Sequence, residues 1–165
     1  DTKLCDGDII SLDIGACYKG FHGDSAKTFA VGKISADAQR LIDVTRQSFY
    51  EGVQFATRKN RVGDVSAAIG NYVEENGFSV VRDYTGHGVG RNLHEDPSVL
   101  NFGRPGHGPR LMAGMTIAPM VNAGDYGVYV EDDDWTVRTD DGSLSAHYEH
   151  TILITDGACE ILTQL

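Results

Sequence analysis

Residues 8–32 read DIISLDIGACYKGFHGDSAKTFAVG. Two strand-like runs, 8–18 and 22–32, meet at Tyr18-Lys19-Gly20-Phe21, so the stretch is expected to form a β-hairpin. With an even-numbered turn, Tyr18 faces Phe21. Counting outward, Asp13 faces Ala26 and Asp24 faces Gly15. Asp13 and Asp24 then share one face as diagonal neighbours, up to about 7–8 Å apart, and can converge on a cation. An odd-numbered loop would put them on opposite faces, leaving one surface aspartate and one turn cap.

Beyond the hairpin, residues 35–57 read as a helix with Ser35 as N-cap and Leu41, Ile42, Thr45, Phe49, Val53 and Ala56 on one face. A second helix is expected from Asp64 to about Asn76, with Val65, Ile69, Tyr72 and Val73 inward and Gly77 as its stop. After Gly77 come short apolar runs at 79–81, 115–118, 135–139, 147–155 and 160–162. Gly- and Pro-rich turns separate them, and 103–109 (GRPGHGP) is a loop by composition. A strand pair, two helices and then several strands suggest an α+β domain with helices on one face of a sheet.

Two further clusters carry candidate chemistry. In Gly86-His87-Gly88-Val89-Gly90-Arg91-Asn92-Leu93-His94-Glu95-Asp96-Pro97, alternating glycines oppose a helix and let the backbone approach something closely. His87 and His94 are expected on a loop. The cluster is neither an HExxH helix nor a dinucleotide loop, since Leu93 stands where the third Gly of GxGxxG belongs. In His147-Tyr148-Glu149-His150, at the head of an apolar strand, alternation puts Glu149 on the face of His147 and Thr151. A carboxylate in such a run needs a partner, either a buried salt bridge or a metal.

The chain has 165 residues, a length for one domain, 1–165. With 14 Lys+Arg against 24 Asp+Glu the net charge is −10, which disfavours nucleic acid as a partner. No apolar run reaches the roughly 18 residues of a membrane span. Cys5, Cys17 and Cys159 form no CxxC pair, so a reducing, cytoplasmic location is expected. The chain starts at Asp1, with a strand-like run within eight residues, and reads as the middle of a longer protein.

LDIG at 12–15, HGDSAKTFAVG at 22–32, GHGVGRNLHEDPSV at 86–99, GMT…PMVNAG at 114–124 and SLSAHYEHTILIT at 143–155 together resemble the type I methionine aminopeptidases, which are pita-bread (creatinase/aminopeptidase-like) metallopeptidases. The resemblance implies an α+β pita-bread fold, largely its C-terminal half plus the preceding hairpin. It implies metal-dependent removal of the initiator methionine from nascent proteins by a metal-activated hydroxide. By motif, Asp13 would chelate one divalent ion (Mn, Fe, Co or Zn), Asp24 and Glu149 would bridge two, and His87 would bind the other. His94 would act on the peptide and the tetrahedral intermediate, and Trp135 would help wall the methionine side-chain site. Ser145 matches a position associated in that family with a monovalent cation. The implied partners are N-terminal Met peptides of nascent chains, with ribosome association, no specific nucleic acid and no membrane; the complete protein is expected to be a monomer.

Two departures from the family pattern accompany this. The family's fifth ligand, a Glu that is also its proposed general base, precedes the Pro of the PMVN segment. Here two residues are absent from that strand and Ala118 stands in its place; a two-residue loss keeps the strand's in/out phase. By the same resemblance, the N-terminal half of the fold, with a His used on the scissile amide and most of the methionine pocket, is expected to be missing before Asp1. The alternative function is therefore a catalytically dead fragment or pseudoenzyme acting as a binding module.

Overall fold

The computed structural model describes residues 3–164. Strands β1 (Ile9–Tyr18) and β2 (Phe21–Ala30) form the expected hairpin, and Asp13 pairs with Ala26 and Gly15 with Asp24. Lys19 and Gly20 both have positive φ, 51° and 79°. This is the two-residue turn whose twist matches its strands, and it makes the register even.

Helix α1 (Ala36–Val53) follows, with the Ser35 hydroxyl accepting from the Ala38 N–H at 3.1 Å. Leu41, Thr45 and Phe49 are buried as expected, and Val44, Ser48 and Gly52 complete the inward face. Ile42 and Val53 lie at its margin, only half-buried. Helix α2 (Val62–Glu75) starts two residues earlier than expected. Asp64 sits inside its first turn, accepting from the N–H groups of Arg61 and Gly106. Gly77, at φ 75°, ends it.

The later strands are β3 (Ser79–Val80), β4 (Gly86–Gly88), β5 (Glu95–Val99), β6 (Gly114–Ile117), β7 (Met120–Asn122), β8 (Val128–Val130), β9 (Val137–Thr139), β10 (Ser145–Leu153) and β11 (Glu160–Ile161). The main sheet runs β1-β2-β10-β6-β4-β5, entirely antiparallel; β7 joins β10 to β3, and β11 flanks β10. Strands β8 and β9 form a separate hairpin. Helix α1 lies on β10, where the Phe49 ring meets Tyr148 and His150 edge-on at 5.4 Å. The core therefore occupies the face of β10 that carries its even-numbered residues, and the odd-numbered face is left for chemistry.

One expectation is corrected. His87 is on strand β4 rather than on a loop, whereas His94 lies in the loop between β4 and β5 as expected. The glycines explain the difference. A Cβ on Gly86 would stand 2.5 Å from the Thr116 carbonyl oxygen, and one on Gly88 would overlap the Asp96 carbonyl. The close approach that these glycines allow is to neighbouring strands.

Candidate metal centre

Register places the polar residues of the open face in rows. On β10, Glu149 pairs with Ala26 of β2, which pairs with Asp13 of β1. On the other side, β10 keeps one register across β6 and β7: counting on from His150–Ile117 reaches Ser145–Asn122, so Glu149 stands opposite Ala118. One row is thus Asp13, Ala26, Glu149, Ala118. The next is Asp24, Thr151, Thr116 and His87, the last step counted from the Gly88–Met115 pair. Ala26 separates the two carboxylates of the first row, and two hydroxyls separate Asp24 from His87 in the second.

Asp24 and His87 lie on strands with two others between them, about 14 Å apart on a flat sheet. Their tips nevertheless approach to 3.6 Å, Asp24 Oδ2 to His87 Nε2. Only a sheet curved around this face can close that gap. The result is an open cleft of about 780 Å³ whose lining includes Asp13, Asp24, His87, His94, His147 and Glu149. His87 Nε2 is also 4.0 Å from Glu149 Oε1, and the rings of His87 and His94 are 4.3 Å apart.

Burial in this crowded group shifts the carboxyls. Desolvation raises the Asp24 pKa, and the charges of Glu149 and Asp13 raise it further against the pull of His87. Burial also pushes Glu149 up, but His147, with Thr116 and His87, outweighs it and the net shift is downward. At 3.3 Å the His147 Nε2–Glu149 Oε2 contact is close enough for charge, yet it is misaligned as a hydrogen bond, and Nε2 has no partner.

Two threonines hold the backbone of this face. The Thr151 hydroxyl accepts from the Asp24 N–H at 2.8 Å and donates to the Asp24 carbonyl at 2.9 Å. At the other end of the β2–β10 ladder, the Thr28 hydroxyl does the same to His147, at 2.8 and 2.9 Å. Each side chain substitutes for a ladder bond at a residue that lines the cleft. Thr151→Val should strand both buried polar groups of the Asp24 peptide and cost about 1–3 kcal/mol. Thr151→Ser should keep most of the stability, as denaturant unfolding of both variants would show.

Of the residues singled out from sequence, Asp13, Asp24, His87, His94 and Glu149 converge on the cleft. Trp135 does not: it stands in the β8–β9 turn, 86% exposed and off the cleft lining. Ser145 lies on β10 opposite Asn122 and donates to the Val121 carbonyl at 3.3 Å. Asp132, Asp133 and Asp134 are exposed in a turn and Glu131 pairs with Arg138, so none of them replaces the carboxylate absent at Ala118. Ala118 itself is buried and lines the cleft. Sequence reasoning missed His147 as a site residue, although its spacing of two from Glu149 on a strand was the available signal.

These residues fit a cation. Among the described residues, ligand atoms of Asp24, His87 and His94 lie within 4.8 Å of one another, as do those of Asp13, His147 and Glu149. Glu149 Oε1 is buried without a hydrogen-bond partner. Buried carboxylates with neither an Arg nor a Lys beside them have a charge that a divalent ion would neutralise.

Comparison with known proteins agrees with this geometry. A methionine aminopeptidase of Clostridium perfringens is 58% identical over 163 residues, covering 98% of this chain and 66% of its own length. The crystal structure of methionine aminopeptidase from Thermotoga maritima superposes with a TM-score of 0.94 at 48% identity, covering 97% of this chain and 65% of that one. That from Rickettsia prowazekii gives 0.95 at 42%, covering 98% and 66%. The chain thus spans slightly less than two thirds of the length of these relatives, and its fold is of the pita-bread type. The profile of metallopeptidase family M24 matches residues 1–156. A cleft of carboxylates and imidazoles on one sheet face, and a match over nearly every residue, place the chain in metallopeptidase family M24.

Proposed function

We propose that this chain carries the metal-binding part of an aminopeptidase that removes N-terminal methionine from nascent proteins. The observation that carries the reading is the similarity to proteins named methionine aminopeptidase at 58% identity, in a chain whose candidate ligands share one cleft. Asp13, Asp24, His87 and Glu149 would hold two divalent ions, Asp24 and Glu149 serving both. Oxygen-rich sites with imidazole suit Mn, Fe, Co or Zn. Such ions would act as Lewis acids toward the scissile carbonyl and lower the pKa of water.

The chain's own groups supply the rest. The negative cleft attracts the α-ammonium group of a peptide. His94, exposed at the mouth and beside His87, is placed to donate a hydrogen bond to the carbonyl oxygen as negative charge develops there. Trp135 would wall the methionine side chain only with the β8–β9 hairpin turned toward the cleft. A monovalent cation would sit near Ser145 and the buried, unpartnered Asn122 Oδ1.

One observation favours a second reading, a binding module without turnover: Ala118 offers no proton acceptor where the resembling family has a Glu. Hydrolysis of a Met-Ala-Ser peptide decides between them. Metal-dependent release of free methionine eliminates the binding-module reading; its absence in metal-loaded protein eliminates the peptidase. His94→Ala should lower kcat about 100- to 1000-fold, the usual cost of one oxyanion donor. Its metal content should not change. Loss of metal would make His94 a ligand.

A further inference from the structure

We propose that His147 is itself a metal ligand, binding through Nε2 beside Asp13 and Glu149. The inference rests on reading the cleft as a divalent-metal site. It adds a ligand to the Asp13 side, where the motif supplies carboxylates alone.

The geometry carries it. His147 and Glu149 are two residues apart on β10 and project to the same face. Nε2 lies 3.3 Å from Glu149 Oε2, and Nδ1 lies 4.0 Å from Asp13 Oδ2. Two atoms bound to one ion at about 2.0–2.1 Å stand about 2.8–3.4 Å apart at octahedral to tetrahedral angles. The Nε2–Oε2 spacing therefore suits a shared cation. It suits a hydrogen bond less well, since the contact is misaligned and Nε2 is buried with no partner, as is Glu149 Oε1. The side chain of Glu149 is 4% exposed and that of His147 is 15% exposed, so water does little to satisfy either. The Thr28 hydroxyl fixes the His147 backbone from both sides, which removes one freedom that a ligand would otherwise lose on binding.

The arrangement also shifts the ligand balance of the whole centre. Ala118 removes an oxygen from the His87 side, while His147 adds an imidazole to the Asp13 side. Each half would then hold at least one nitrogen, which moves the preference from Mn toward Co and Zn.

Titration of the metal-free protein with CoCl₂ tests this. In paramagnetic NMR of the cobalt-loaded His94→Ala protein, two histidine N–H resonances should be hyperfine-shifted, one each from His87 and His147. A single shifted resonance would overturn the proposal, and this count requires no change at position 147. His147→Gln should remove one resonance and weaken binding of the ion it contacts by more than about 100-fold. An outer-shell partner costs about 10–100-fold, so a loss within that range with both resonances kept makes His147 an orienting group and refutes ligation. Hydrolysis of Met-Ala-Ser is scored separately. Two resonances without hydrolysis uphold His147 and sink the peptidase reading; one resonance with hydrolysis does the reverse.

Discussion

Asp24→Asn is expected to abolish binding of both divalent ions while making the metal-free protein more resistant to heat. The first effect follows from position. Asp24 lies between Asp13, its diagonal neighbour on the hairpin, and His87, 3.6 Å away across the curved sheet. A carboxylate so placed would serve both halves of the proposed centre, and an amide carries no charge to offset a dication. The second effect follows from crowding. Burial and the charges of Glu149 and Asp13 already penalise the ionised carboxylate, as its raised pKa records. A neutral isostere removes that penalty, and in a domain of this size each kcal/mol recovered raises the melting temperature by about 2–4 °C. Calorimetry with and without MnCl₂ checks both signs. Retention of either ion at full occupancy would refute the bridging role.

Ala118→Glu is the complementary gain. Because β6 and β7 share one register on β10, position 118 faces Glu149 without a bulge, and its side chain points into the cleft. The backbone there is already anchored, with the Ala118 carbonyl accepting from the buried Asn101 amide at 2.9 Å. A carboxylate at this position should strengthen binding of the His87-side ion by at least about tenfold, since ligand charge tunes cation affinity. It should also destabilise the metal-free fold, because it adds a further negative charge beside Glu149 and Asp24. Isothermal titration reads the first effect and thermal unfolding the second. Unchanged affinity would mean that the side chain at 118 does not reach the ion.

These two results draw on different kinds of information. The hairpin was legible before any fold was known, and strand alternation put Asp13 and Asp24 on one face provided the turn held an even number of residues. The positive φ of Lys19 and Gly20 meets that condition. The Ser35 cap and three residues of the α1 core face, Leu41, Thr45 and Phe49, were equally local. By contrast, His87 looked like a loop residue. Nothing in a Gly-rich stretch announces that its glycines admit the carbonyls of Thr116 and Asp96 from neighbouring strands. Trp135 carried a role by motif alone, and only the fold shows it standing exposed in the β8–β9 turn.

The sequence by itself determined which residues could share a face, because turn length and the period of two act over a few neighbouring positions. It also carried the resemblance to a family, which leads one to expect a Glu where Ala118 stands. Only the tertiary structure decided that Asp24 and His87 meet. Curvature of the sheet depends on how distant strands pair and on how α1 packs behind β10. The same packing brings Asp13 to His147 and leaves that histidine's nitrogen buried and unpartnered, because burial and partner satisfaction are properties of the whole fold and of no single segment.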